Sequence, residues 1–386
     1  MSISKDVFKH KHICLVEDHT NPLSIIRSLG EEGIEPIVLI FGKDFNYVPQ
    51  SHYIKKGNLH KFATKEDALD FLLSHFSEES LKPFVYSGSD DVTLLLDSHY
   101  SKMKDKFYFM NGAGELEKYL QKYNIIKLAQ ECGLQIPKEE LLDVGVLPTT
   151  LKYPVFTKAI TSAAGGAWKD QAFICHNPEE LKEAYSKMKV KQILVQEFID
   201  KKNELCINGI SIHEGQEVFM PYSCSYHRFV PGNYGNYVHF SPFENDELKN
   251  KITEIIRKTR YSGIFEVEFM IDKNDNLYFL EVNFRHSGWG YFFTYGGFNL
   301  PFRWAVSTLS KHLYLDGFKP KKGYDCMSEV AYIRECRNYW HFPLTKIIKD
   351  IYHTDCFLLW NRKDVKPFFV EFHLKYKRLI ERLKRK

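Results

Sequence analysis

Apolar residues fall in short runs separated by polar, turn-forming stretches along most of this 386-residue chain. The runs 12–16 and 36–41 have the length and continuity of buried strands. Between them Ile25, Ile26 and Leu29 recur at helical spacing, and Gly30 and Gly33 stop the helix. Strand, helix and strand in that order predict a parallel sheet. A further strand at 83–86 runs into Ser87-Gly88-Ser89-Asp90-Asp91 and another helix. Ser89 or Asp90 reads as its N-cap, with a ligand contact at the strand end as the alternative. From Glu115 the pattern is helical through Leu116, Tyr119, Leu120, Tyr123 and Leu128, stopped by Gly133 and Pro137. Strands are expected at 153–158, 171–175, 192–199 and 204–210, with a helix at 178–188. A helix at 246–261 lines up Leu248, Ile252, Ile255 and Ile256.

The most informative alternation lies between Ile264 and Arg285. Two apolar runs, 264–271 and 277–282, flank Asp272-Lys273-Asn274-Asp275-Asn276, so an antiparallel hairpin is predicted. Residues two apart in a strand share a face, which groups Glu266 with Glu268 and Glu281 with Asn283. Carboxylates and an amide oxygen converging across the ladder suit Mg²⁺, which keeps several waters and completes its shell with substrate phosphates. The competing reading is an ordinary hairpin with its acids toward water. Between Lys158 and Lys169 lies a small-residue loop containing Gly165 and Gly166. Such loops let backbone N–H groups approach phosphates, although a plain turn has the same composition. Neither G-x-x-x-x-G-K-[ST] nor the protein-kinase signatures occur, and the first strand is not followed by G-x-G-x-x-G, which argues against a nicotinamide or flavin dehydrogenase. The aromatic, glycine-rich stretch 222–240 reads either as a site-lining loop or as a surface β-excursion.

The formal charge of +4 is a property of the last twelve residues, which hold seven Lys/Arg and one Glu. The remaining body is slightly acidic and gives no electrostatic case for nucleic acid. The helix predicted at 369–386 either packs on the body with a solvated basic face or attaches peripherally to an anionic membrane or polymer. No apolar run approaches a membrane span and the first twelve residues are polar, so a cytoplasmic location is expected. The eight scattered cysteines include no C-x-x-C pair and are expected to be reduced and mostly buried.

Three separated segments together resemble the ATP-grasp superfamily, specifically carboxylate–amine ligases similar to D-aspartate ligase and carbamoyl-phosphate-synthase-like proteins. Phe279-Leu-Glu-Val-Asn-Phe-Arg285 resembles the family's metal-binding E-[IV]-N-P-R segment, with Phe284 in place of the usual proline. Glu268 precedes Glu281 by thirteen positions, as in relatives. The resemblance implies Glu268, Glu281 and Asn283 as metal ligands and Arg285 as the arginine beside the transferred phosphoryl group. Tyr153-Pro-Val-Phe-Thr-Lys158 resembles the strand whose lysine meets the α/β-phosphates. Lys122 is then the second phosphate lysine, preceded by Gln121 where an aspartate is usual. Val195-Gln-Glu-Phe-Ile199 resembles the adenine hinge: the Gln196 side chain, with the Glu197 and Ile199 backbones, would meet the base, and Glu204 the ribose.

The fold implied combines α/β and α+β parts of the ATP-grasp type. A Rossmann-like N-terminal domain would occupy 1–114, an ATP-grasp domain 115–310 with a lid at about 150–200, and an α+β extension 311–386. ATP and Mg²⁺ (or Mn²⁺) are the implied cofactors, and small carboxylates and amines the substrates. A carboxylate would be activated as an acyl phosphate under the 161–169 loop, then attacked by an amine, with Arg228 or His227 holding a substrate carboxylate or phosphate. A homodimer is the family-level expectation. Two alternatives remain: an ATP-dependent carboxylase or carbamoyl-forming enzyme, and a nucleotide-binding regulator without ligation.

Overall fold

The computed structural model describes residues 3–158, 160, 171–230 and 235–374, whose strands form three sheets. In the first sheet β1 (His12–Val16), β2 (Ile37–Phe41), β3 (Leu59–Phe62), β4 (Phe84–Ser87) and β5 (Tyr108–Phe109) are all parallel, in the order β3-β2-β1-β4-β5. Both faces of β1 are covered, which is why its sequence is continuously apolar. Cys14 and Val16 pack with Leu23, Ile26 and Leu29 of the helix Thr20–Glu31. Ile13 and Leu15 pack with Leu69 and Leu72 of Lys65–Phe76 and with Val92 and Leu96 of Asp90–Ser98.

The second sheet is antiparallel, with β6 (Glu139–Asp143), β7 (Val155–Lys158), β8 (Ile174–Cys175) and β9 (Gln192–Glu197) in the order β6-β9-β7-β8. Leu181, Ala184 and Tyr185 of the helix Pro178–Lys187 seal it against Val155, Ile193 and Val195. The third and largest sheet contains β10 (Lys201–Ile212), β11 (Glu217–Tyr226), β12 (Tyr237–Pro242), β13 (Gly263–Asp272), β14 (Leu277–Asn283), β15 (Tyr324–Met327) and β16 (Cys356–Phe357). Its order is β14-β13-β10-β11-β12-β15-β16, so strands from beyond residue 311 complete the same sheet that carries the acidic hairpin.

Several local expectations are corrected. The helix expected from Glu115 onward is two helices, Leu116–Leu120 and Lys122–Glu131, separated by an extended Gln121 (φ −73, ψ 116). That break puts Lys122 at a helix start, where its N–H reaches Ile160 O at 3.1 Å. The strand expected at 171–175 shrinks to β8. The stretch 222–240 follows the β reading in part: β11 runs to Tyr226 and β12 begins at Tyr237. Within the 311–386 segment, the helix Glu329–Glu335 turns Glu329 inward to accept from the backbone N–H groups of Leu358, Leu359 and Trp360. The final helix is described only over 366–374, so the basic residues 375–386 lie outside the described residues.

A buried ion pair ties the C-terminal segment to the helix Thr20–Glu31 beside the first sheet. Arg27 is 1 % exposed; its Nε lies 2.9 Å from Asp364 Oδ2, and its guanidinium donates to the carbonyls of Leu358, Leu359 and Asp364 at 2.8–3.0 Å. Asp364 also accepts from Ser51 Oγ and His52 N, both at 3.0 Å. Removing one partner strands the other charge without water. Arg27→Met is therefore expected to cost about 3–5 kcal/mol, read as a lowered urea midpoint with an unchanged slope; a shift of a few tenths would show that the pair is dispensable.

Candidate active site

The acidic hairpin owes its geometry to a bulge. Glu266 pairs with Asn283, Val267 with Val282 and Glu268 with Glu281, but Phe269 pairs with Phe279, leaving Leu280 as the extra residue. Without that bulge Phe279 and Glu281, two residues apart, would share a face, because side chains alternate along a strand. With it, Phe279 turns into the core against Phe269, ring centroids 6.0 Å apart, while Glu281 joins Glu266, Glu268 and Asn283 on the opposite face. The neighbouring strand adds to that face, since Asn208 pairs with Glu266 and Cys206 with Glu268. Ligand atoms of Glu204, Cys206 and Glu268 lie within 4.8 Å of one another.

This face is buried and crowded with like charge. Burial first, then the charges of Glu281, Glu266 and Glu204, holds the Glu268 carboxyl well above the usual carboxylate range. Glu266 is raised too, chiefly by burial, with Arg285 opposing. Asn283 Nδ2 donates to Glu268 Oε1 at 2.9 Å and Glu266 Oε2 at 3.3 Å. Arg285 Nη1 is 3.8 Å from Glu266 Oε2 and its Nε 3.3 Å from Asp90 Oδ2. Asp90, in the first turn of the helix that Ser89 caps, also accepts from Phe284 N at 2.9 Å. The C-terminal edge of the parallel sheet thus grips the segment that ends the hairpin.

Two lysines face the acids. Lys122 Nζ stands 3.8 Å from Glu281 Oε2, so Glu281 is its partner in the absence of an aspartate at 121. Lys158 ends β7 in a buried position; desolvation, then the Lys122 charge, lowers its pKa to about 8, opposed by Glu281 and Glu139. At the end of β9, Gln196 is buried and its Nε2 reaches Glu139 Oε2 at 3.3 Å. Glu197 N and Oε1 are both engaged by the Lys138 backbone, and among the described residues the Ile199 N–H makes no backbone hydrogen bond. Glu204 is 4 % exposed and accepts from Lys201. Gly165 and Gly166 lie outside the described residues.

The expected substrate-holding role of Arg228 is corrected. Its guanidinium is committed to Asp350 Oδ2 at 2.9 Å and the Tyr332 hydroxyl, and lies 5.0 Å from the Phe342 ring centroid, all in the C-terminal part. His227 pairs with Asp325, not with the acidic hairpin. Sequence reasoning missed Glu139, Asn208 and the Asp90 contact to Arg285. Asp90 alone carried a signal, as a polar residue at the end of a parallel strand.

The family model described as an ATP-grasp domain matches residues 127–295 of this chain. A D-aspartate ligase of Enterococcus faecium (strain Aus0004) is 26% identical over 258 residues, covering 61% of this chain and 61% of that protein. The matched stretch is therefore about three fifths of this curated relative's length. An L-amino acid ligase from Bacillus licheniformis superposes with a TM-score of 0.60 at 16% identity, covering 82% of this chain and 79% of the other. The N5-carboxyaminoimidazole synthetase from Staphylococcus aureus complexed with ADP superposes with a TM-score of 0.62 at 14% identity, covering 86% of each chain. At such identities these two structures show a common fold.

Three buried atoms on this face, Glu204 Oε2, Asn208 Oδ1 and Arg285 Nη1, have no hydrogen-bond partner among the described residues. Acceptors without a hydrogen bond beside clustered carboxylates fit a divalent cation, and a guanidinium nitrogen without one fits an anion. The raised pKa of Glu268 has a stability consequence. The folded chain keeps a proton there that the unfolded chain releases near pH 4.3, so the metal-free protein loses stability as pH rises from about 4.3 toward the raised folded value. Glu268→Gln is expected to melt higher than the parent at about pH 8, to lose that advantage near pH 4, and to lose stabilisation by Mg²⁺ with ADP. Parallel pH profiles for the two proteins would refute the shift.

Proposed function

We propose that this protein is an ATP- and Mg²⁺-dependent carboxylate–amine ligase that forms an amide through an acyl phosphate. The observation that carries the reading is the single buried face on which Glu266, Glu268, Glu281 and Asn283 confront Lys122, Lys158 and Arg285. Gln196 and the Ile199 N–H would hold the adenine edge and Glu204 the ribose. Lys158 and Lys122 would neutralise the phosphates, and Glu268, Glu281 and Asn283 would hold the metal. A bound Mg²⁺ would draw charge from the phosphoryl oxygens. Phosphoryl transfer needs positioning and charge neutralisation more than covalent help, and this constellation supplies both.

In the proposed reaction a substrate carboxylate oxygen attacks the γ-phosphorus of ATP and ADP leaves. The amine nitrogen then attacks the acyl carbon, losing a proton as phosphate departs. Arg285, oriented by Asp90, would offset charge on the reacting phosphoryl group. The names of the D-aspartate ligase and the L-amino acid ligase support an amino acid as one substrate. The carboxyaminoimidazole synthetase favours a second reading, in which bicarbonate is the acid activated.

ADP release across a matrix of amino acids, small acids and bicarbonate separates the two. An amide ligase is expected to need both a carboxylate and an amine; turnover that needs bicarbonate would establish the second reading. Glu281→Gln should lower Mg²⁺-dependent turnover by at least about 100-fold, the scale of losing one charge-stabilising group, with an unchanged circular-dichroism spectrum. Undiminished ADP release in that variant would overturn both.

A further inference from the structure

Cross-strand pairing assigns a face to each residue of the large sheet. Phe240 pairs with Cys224, Cys224 with Cys206 and Cys206 with Glu268, so Phe240 lies on the acidic face. His239 therefore points to the other side, directly opposite Asp325 on β15. His227, just past β11, bonds through its backbone N–H to Tyr237 O and stacks its ring on Tyr237, centroids 4.0 Å apart. Its Nε2 stands 2.9 Å from Asp325 Oδ1, and His239 Nδ1 stands 2.7 Å from that same oxygen. The three atoms lie within 4.8 Å of one another, and all three side chains are partly open to solvent.

We propose that His227, His239 and Asp325 form a binding site for a divalent transition metal of the zinc class, on the face of the sheet away from the acidic hairpin. Two imidazoles and one carboxylate are a borderline-soft donor set, which selects Zn²⁺, Co²⁺ or Ni²⁺ over the Mg²⁺ suited to the oxygen-only hairpin. Zinc bonds of about 2.0–2.2 Å put neighbouring ligand atoms about 3.3 Å apart. The two short contacts need to open by only about half an ångström, a rotamer adjustment that exposed imidazoles can make. The shared carboxylate is itself held from outside the trio. The Tyr237 hydroxyl reaches Asp325 Oδ2 at 3.4 Å, and Asp325 N donates to Asp355 Oδ2 at 2.8 Å. Such an ion would clip β11, β12 and β15 together beside the segment that presents Arg228 to Asp350. Three protein ligands leave a coordination position for water.

The test uses the full-length, tag-free chain without nucleotide and Zn²⁺ alone as the probe, titrated against a chromophoric chelator in excess Mg²⁺. One equivalent of zinc is expected. His239→Ala and Asp325→Asn should each weaken it at least tenfold, since even orienting residues at metal sites are worth about 10–100-fold. Glu268→Gln should leave it unchanged. Co²⁺ in the parent should give visible absorption bands of imidazole ligation that His239→Ala lacks. Circular dichroism of the variants excludes misfolding as the cause of loss. No zinc uptake by the parent, equal uptake by His239→Ala and Asp325→Asn, or loss confined to Glu268→Gln would each overturn the proposal.

Discussion

The structure depends on keeping three carboxylates on one buried face of one β-hairpin. Glu266 and Glu268 are buried and Glu281 beside them is partly exposed, so the three repel one another where water screens them little. What fixes them is the register of β13 and β14. The bulge at Leu280 lets Phe279 anchor in the core and still delivers Glu281 to the acidic side. A one-residue slip would exchange the two faces, so the apolar residues Phe265, Val267 and Phe269 hold the acids in position by the cost of exposing themselves. Core packing and site geometry are one constraint here.

A second layer of organisation comes from the parallel sheet. Ligands in open α/β folds gather beyond the carboxyl ends of the strands, and β4 ends there in Ser87-Gly88-Ser89-Asp90. Asp90 spans from its helix to both Phe284 N and Arg285, so the guanidinium just past β14 is held by a residue at the edge of the parallel sheet. Burial alone would raise the Asp90 carboxyl, and Arg285 opposes that rise. The orientation of Arg285 therefore reports how the parallel sheet and the hairpin are docked, and the buried Arg27–Asp364 pair stiffens another seam of that docking.

How much of this was legible in the sequence follows from the range of each signal. Period-2 alternation around a turn is local, so the hairpin and the common face of Glu266 and Glu268 could be read directly. The pairing of Glu281 with Glu268 could be expected, but the bulge could not: Leu280 looks like any strand residue, and only the demand of Phe279 for the core excludes it from the ladder. Lys122 and Lys158 were reached through resemblance, and neither has a local pattern to mark it. Glu139 was invisible because β6 alternates weakly and matters only through its neighbour across the ladder, Gln196. Arg228 misled for the opposite reason. An arginine in an aromatic, glycine-rich stretch reads as a ligand holder, yet its partners Asp350 and Tyr332 lie more than a hundred residues away, a distance over which sequence pattern carries no information.

The pKa shifts on the two sides of the site are of opposite sign and have the same cause. Desolvation lowers Lys158 and raises Glu268, so the acidic and basic groups are both pushed toward neutrality when they face only each other. Lys122 and Glu281 stand 3.8 Å apart, too long for a strong ion pair. A polyanion entering alone would relieve the lysines but add to the repulsion felt by the carboxylates; a divalent cation entering alone would do the reverse. Only the two together restore charge to both sides at once. On the proposed function, these electrostatics would favour a metal–polyphosphate complex as a unit over either component, before any contact to a base or a sugar is counted.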